Sequence, residues 1–407
     1  MGILDMLKQT LALSDNVKTM AVQSLVTEAC FGMFYVVWQP YLIDLRATIP
    51  QLGLVQGVIT LSAALGSLLW GRLSDAVGRK PVYTASFVCR FIAMIFCLTA
   101  RSWISFIGFG AFIGLSAAWM QSNPAGSALL TESVDEIHAG TAISVYISVG
   151  VMASIVTAPL GGYLAMNQGY RLIFLSCLVG ELFNIVFVSR RLRETLTGEA
   201  RGFRRPLAGG LKALADFIRP ESILIPFYVV SILDSFSYRL SSSLLYGLLV
   251  DSYGFNTVQL GLMSTAFGVS WGLSQIPLGR MMDRYGRKRF LLLSQVAAML
   301  VMAGYILSRS FIVFLVLQSV SGLSHAMWIP AYIAMVAERV PGERRSSVLG
   351  KLSTLPQLFG VPAPYIGGVV YEALGFGAPM MIRLIALLLS FLIIFVFIDE
   401  LASKPKT

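Results

Sequence analysis

Along most of this chain, apolar residues do not alternate with polar ones; they run on. Apolar stretches close to the ~20 residues that cross a bilayer recur from residue 20 to residue 398, divided by short polar punctuation. The pattern predicts twelve helical spans, at 20–43, 53–73, 81–100, 104–131, 141–166, 169–190, 222–250, 258–279, 288–308, 310–338, 346–371 and 376–398. These are spans 1 to 12 below. Six lie on each side of the longest polar connector, which predicts an N-terminal six-helix bundle (1–190), a linker (191–221) and a C-terminal six-helix bundle (222–407). The expected class is an all-α integral membrane protein.

Composition sharpens this. The chain is 56% hydrophobic and 13% charged, with a mean hydropathy of +0.75. Soluble domains carry about 25% charged residues, so a large soluble helical protein is excluded. The formal net charge of +10 would suit nucleic acid were it spread over one face, but its distribution is topological. Only Arg46, Arg101, Arg171 and Arg309 fall in one set of loops, and Arg90, Arg239 and Arg383 fall within spans. The remaining Lys and Arg lie in the other set, as the positive-inside rule requires. Both termini are therefore expected in the cytoplasm, the protein in the plasma membrane, and no nucleic acid as partner.

The linker carries Arg190, Arg191, Arg193, Arg201, Arg204, Arg205, Lys212 and Arg219 in and around it. Leu211, Leu214, Ala215 and Ile218 fall at i, i+3, i+4 and i+7, which predicts a short amphipathic helix on the membrane surface, held partly by anionic lipid. The N-terminal stretch lacks the basic-then-apolar pattern of a cleavable signal. Cys30, Cys89, Cys97 and Cys177 all fall inside apolar runs with no CxxC pair. They read as reduced core residues, with no metal site.

Two polar connectors are near-copies. Gly71, Leu73, Asp75, Gly78, Arg79 and Lys80 in one correspond to Gly279, Met281, Asp283, Gly286, Arg287 and Lys288 in the other, 208 residues later. Pro124 to Glu132 aligns with Pro330 to Glu338 at an offset of 206, and Gly161 and Gly162 fall on Gly367 and Gly368 at the same offset. The chain is an internal duplication. Parallel repeats of six spans, with binding residues near the midplane between them, are a transporter architecture.

On these residues the chain resembles a twelve-span transporter of the major facilitator superfamily, over essentially its whole length. The decapeptide at 71–80 resembles the family's signature between spans 2 and 3; Ala76 departs from its usual basic residue, which Arg284 supplies in the second copy. Gly71 and Gly78, with Gly279 and Gly286, are expected to permit close helix approach and a tight turn. The resemblance implies a cytoplasmic gate: Asp75 and Asp283 at the N-termini of spans 11 and 5, and Arg79 and Arg287 meeting Glu132 and Glu338. It also implies rocker-switch alternating access about a site formed by spans 1, 4, 7 and 10.

Ionisable side chains inside a span cost several kcal/mol in lipid, so each is a functional candidate. Glu28 and Asp234 are separated by 206, the repeat offset itself, and are the leading candidates for coupling to protons or another cation, with His325 a third. Glu28, Gly32, Tyr35 and Gln39 form one helical stripe on span 1, and Asp234, Tyr238 and Ser241 its counterpart on span 7. Arg239 is a candidate for an anionic substrate group. Trp119 and Asn123, four apart on span 4, and Trp328 on span 10 are candidates for the cavity wall. Arg90 and Glu181 are expected to form a structural ion pair, because neither charge is tolerable alone in lipid. Arg383, near the outer end of span 12, is expected to reach the headgroups.

The sequence points to a secondary transporter of a small organic solute, with proton-coupled export first, and proton symport or uniport of a sugar, carboxylate or other metabolite as the alternative. A non-transporting sensor on the same fold is the second alternative. A monomer without cofactor is expected, and neither a phosphate-binding loop nor an enzyme's nucleophile set is present. Two departures weaken the export signature: Gly110 stands where exporters of the family usually carry an Arg, and Pro159 comes one residue late before Gly161 and Gly162.

Overall fold

The computed structural model describes residues 14–117, 123–135, 138–196 and 221–400. The amphipathic helix expected at 211–218, and Trp119, lie outside them. The described elements are all helical. Spans 1 to 3 are Asp15–Asp44, Ile49–Val77 and Arg79–Leu98; spans 5 and 6 are Ala139–Gln168 and Tyr170–Arg191. Spans 8, 9, 10 and 12 are Thr257–Tyr285, Arg287–Leu307, Phe311–Arg339 and Gly377–Phe397.

Three spans are broken. Span 4 comprises Ser105–Leu115 and Pro124–Glu132. Ala117 enters left-handed space at φ 47°, and the second piece starts with Pro124 at its first position and Asn123 as its cap, Oδ1 accepting from Ala125 N at 3.1 Å and Gly126 N at 3.4 Å. Span 7 divides into Ile225–Ser241 and Leu245–Tyr253 at a run of serines, and span 11 into Gly342–Phe359 and Ala363–Leu374 just before and after Pro362. Prolines end helices because they lack the N–H and clash with the preceding turn.

Among the described residues, nine helices are long and apolar enough to cross a membrane. The exceptions are the divided spans 4 and 11 and the continuous but Ser-, Thr- and Gly-rich span 8. Outward faces are apolar: on span 12, Ile385, Leu388, Leu389, Leu392 and Phe395 are all exposed. In water such a stripe would be a liability; against lipid it is the expected surface.

Contacts divide the chain into two compact units. One is Met1–Ala47, Val58–Leu207 and Asn256–Gly261; the other is Thr48–Gly57, Ala208–Phe255 and Leu262–Thr407. In the first, Phe34 of span 1 packs its ring 5.3 Å from Phe109 and 5.8 Å from Phe174, all fully buried. In the second, Tyr253, Phe314 and Phe376 form the comparable cluster, with centroids 6.0, 4.9 and 6.1 Å apart. The decapeptide ends have their own cores, built around Tyr83, Phe87 and Leu129 in the first unit and Phe227, Leu291 and Met335 in the second. In lipid these seams are held by packing and by interhelical hydrogen bonds, since leaving lipid gains little hydrophobic energy.

Candidate functional site

The repeated decapeptides build the same local structure twice. Gly78 and Gly286 sit at φ 118° and 94°, a region closed to most L side chains, and so turn the chain from one helix directly into the next. The first helical turn after each leaves backbone N–H groups without intrahelical acceptors. A carboxylate closes each: Glu194 accepts from Arg79 N at 2.9 Å and Lys80 N at 3.0 Å, and Glu400 accepts from Arg287 N and Lys288 N, both at 2.7 Å. Burial opposes the Glu194 charge, but backbone amides of Leu196, Arg79, Lys80 and Thr195 outweigh it and hold the carboxyl below its ordinary range.

The Arg79 guanidinium spans Asp75 and Glu132, the latter at 3.2 Å. Arg287 pairs with Glu338 and, at 3.4 Å, with Asp283. Thr195 Oγ1 donates to Glu132 at 2.6 Å, joining the bracket to the ion pairs in the first unit. Glu194 and Glu400 were missed in the sequence because they fall in the linker and the tail. They are 206 apart, so the repeat offset could have found them.

Gly71 and Gly279 do not serve the close helix approach expected of them. A methyl added at Gly71 would stand at an ordinary 3.7 Å from Pro124, and one at Gly279 would meet nothing within 4 Å among the described residues. The turn-forming glycines are the second pair, Gly78 and Gly286.

Inside the first unit the span 1 stripe lies along span 5. A methyl at Gly32 would come within 2.5 Å of Thr157 Oγ1, and one at Gly150 within 2.8 Å of Glu28 Cγ. Glu28 thus sits in a helix seam made by the missing side chain of Gly150. Arg90 Nη1 lies 3.6 Å from Glu181 Oε1, both side chains at most 6% exposed, and the guanidinium covers the Phe87 ring at 4.7 Å and Phe31 at 5.7 Å. Glu28 is within electrostatic range of both Arg90 and Glu181. Only Glu181 is within ion-pair distance of Arg90 among the described residues.

A hydrogen-bonded chain runs beside this cluster. Tyr83 O–H donates to Gln23 Oε1 at 2.6 Å, Gln23 Nε2 to Thr27 Oγ1 at 2.8 Å, and Asn184 Nδ2 to the same hydroxyl at 2.9 Å. Tyr35 is half-buried with its ring 5.9 Å from Phe31, and Gln39 is buried. Asn123 is not on a helical face, because the helix is broken there; its side-chain oxygen caps the second piece of span 4.

In the second unit, Asp234 meets Arg383, 3.8 Å from Oδ1 to Nη2. Arg383 is therefore no headgroup anchor: it is 4% exposed and lies over the Tyr238 ring at 4.8 Å. Its position along span 12 suggested the interface, but its helical face turns inward. His325 Nδ1 is 2.9 Å from Ser321 O, and its ring stands edge-on to Tyr238 at 6.0 Å and Phe267 at 5.2 Å. Ser241 turns into the core and donates to Ser237 O, so only Asp234 and Tyr238 of that stripe are accessible. Arg239 lies against span 11, where a methyl on Gly360 would reach its Cδ at 2.5 Å. Trp328 stacks on Tyr332 at 5.4 Å, against the core of its unit. No group of three or more His, Cys, Asp or Glu among the described residues is placed to hold a metal.

The chain matches the model of the Major Facilitator Superfamily over residues 20–233 and 227–407. It is 26% identical over 336 residues to the multi-drug resistance efflux pump PmrA of Streptococcus pneumoniae serotype 4, covering 80% of each chain. Its backbone is similar to that of the nucleoside transporter NupG (TM-score 0.72, 16% identity, 94% of this chain and 98% of that one). The same holds for the xylose transporter XylE from E. coli in an inward open conformation (TM-score 0.72, 16% identity, 95% and 98%). At those identities the structures speak for the fold alone.

Proposed function

From the premise that this chain belongs to the major facilitator superfamily, we propose that it is a proton-coupled exporter of a small organic or amphiphilic compound, working by rocker-switch alternating access. The transporter fold is a fact of the family; direction, substrate class and coupling are our reading. The observation that carries it is a span carboxylate, Glu28, seated in the seam against Gly150 and within electrostatic range of the buried Arg90–Glu181 pair. A carboxylate within a span is costly as an ion and can exchange a proton, the step a proton-driven carrier needs. Likeness to PmrA, named as an efflux pump, supports export.

On this reading Glu28 carries the proton, Asp234 and His325 form the second titratable group, and Tyr35, Gln39, Tyr238 and Arg239 border the solute. The two ion-paired ends, Asp75–Arg79–Glu132 and Asp283–Arg287–Glu338, form the cytoplasmic gate. The protein works as a monomer in the plasma membrane, with both termini cytoplasmic, on protons and lipid without a cofactor.

The test is ethidium transport in proteoliposomes, with and without an imposed pH gradient. Wild type should respond to the gradient, whereas Glu28→Gln should keep ethidium counterflow at equal pH and lose the gradient's effect. A Glu28→Gln variant that still follows the gradient would remove Glu28 from the coupling step. Asp234→Asn, assayed alongside, tells whether the second unit shares it.

A further inference from the structure

Beside the Arg90 cluster lies a cavity of about 60 Å³ that the transport cycle above leaves unused. Tyr83 and Arg90 of span 3, Asn123, Ser127 and Leu130 of span 4, and Tyr146 of span 5 are among its walls. All belong to the first unit. Ser127 is exposed and marks the mouth; Arg90 and Asn123 are 5% and 9% exposed and form the interior. Two donors there find no acceptor among the described residues, Arg90 Nε and Asn123 Nδ2. The cap at Pro124 explains why: it uses the Asn123 oxygen and leaves the amide N–H₂ facing the cavity.

Buried donors without partners cost enough that they are usually satisfied, so the cavity calls for a hydrogen-bond acceptor. Charge decides which. Arg90 is already paired with Glu181 of span 6, Glu28 of span 1 is within its electrostatic range, and an anion would add a third negative charge. A neutral acceptor fits, and a buried water needs roughly 10–15 Å³ of such volume, so there is room for a few waters. Tyr146 joins the cavity to the carboxylate: it lines the wall, pairs with Tyr83, and lies within electrostatic range of Glu28. The other ionisable groups facing this cluster are Tyr35 of span 1 and Tyr83 of span 3.

We propose that this cavity is a hydration site through which protons pass between the Ser127 mouth and Glu28, inside the body of one six-helix unit. The proposal rests on Glu28 as the coupling carboxylate. It assigns to Arg90 and Asn123 the holding of water, and to Arg90 a role beyond its structural pairing with Glu181.

The experiment narrows the mouth with Ser127→Leu and follows ethidium in proteoliposomes. Gradient-driven flux should fall at least tenfold, while counterflow at equal pH stays within about twofold of wild type. Gradient-driven flux at the wild-type rate overturns the proposal. If Glu28→Gln has lost its gradient response in the same preparation, the Glu28 reading survives that failure; if it has not, that reading is what fails. A Ser127→Leu protein that loses counterflow as well is decided by a second measurement. Ser86→Cys, on the buried wall, is placed in a background with Cys30, Cys89, Cys97 and Cys177 replaced by Ala, and treated with methyl methanethiosulfonate. Modification that Ser127→Leu slows at least tenfold supports a hydrated cavity; no modification, or modification indifferent to Ser127→Leu, overturns it.

Discussion

The two units agree at one end and disagree in the interior. At the decapeptide end each has a left-handed glycine, a carboxylate accepting from the next two backbone amides, and an arginine between an aspartate and a glutamate. In the interior, the first unit pairs Arg90 with Glu181 and holds a second span carboxylate, Glu28, while the second pairs Arg383 with Asp234 and holds a second span arginine, Arg239, against Gly360. One interior has a formal surplus of negative charge and the other of positive. Duplication copied the frame; the chemistry parted afterwards. A feature found twice therefore informs first about how each unit is folded and held together.

The sharpest way to break this comparison is to remove the interior arginines. Arg90→Met should destabilise the protein by about 3–5 kcal/mol, the range for stranding a buried charge, and by more than Arg383→Met, since its partner Glu181 is 1% exposed and Asp234 is 21% exposed. Thermal unfolding in detergent measures both, and Arg90→Met combined with Glu181→Gln should recover part of the loss. Equal losses for the two arginines would dissolve the contrast between the interiors.

Next in size are the glycines. Forcing a Cβ into the left-handed region costs about 1–2 kcal/mol, and Gly78→Ala should exceed Gly286→Ala. The added carbon would stand 2.6 Å from Glu194 in the first case and 3.2 Å from Glu400 in the second. Smaller again, Glu194→Ala and Glu400→Ala should each cost about 1 kcal/mol, as other lost helix caps do, and to similar extents if the frame was copied intact. Hydrogen exchange of the amides at 79–80 and 287–288 is the direct readout.

The smallest effect is that of acid. The Glu194 carboxyl is held below its ordinary value of 4.5, so its contribution is fully present above that pH. It is lost as pH falls through the lower folded value. Protection of Arg79 N and Lys80 N should therefore persist to about pH 4.5 and decline below it.

Much of this was legible in the residues. Long apolar runs announced the helices, and the 206–208 offset joined the decapeptides to Glu132 and Glu338. Arg90 and Glu181 pointed to each other because two charges at similar depth in lipid have few other partners. Arg383 was misread because position along a helix gives depth, whereas its partner depends on which face turns inward. Asn123 was misread because helical spacing was carried across a break that Ala117 and Pro124 impose. The Glu28 seam depends on Gly150, an absent side chain on another span, and no pattern on span 1 could reveal it.

The carboxylate brackets at Glu194 and Glu400 also carry a date. A clasp present in both copies, 206 residues apart and made to matching backbone atoms, belonged to the single six-span ancestor before it was doubled. That ancestor already fastened the end of its sixth helix to the start of its third. Glu28 and Asp234 keep the same offset, whereas Arg90, Glu181 and Arg383 have no charged counterpart there, so the clasp and one carboxylate in each repeat were shared before the partners of those carboxylates diverged.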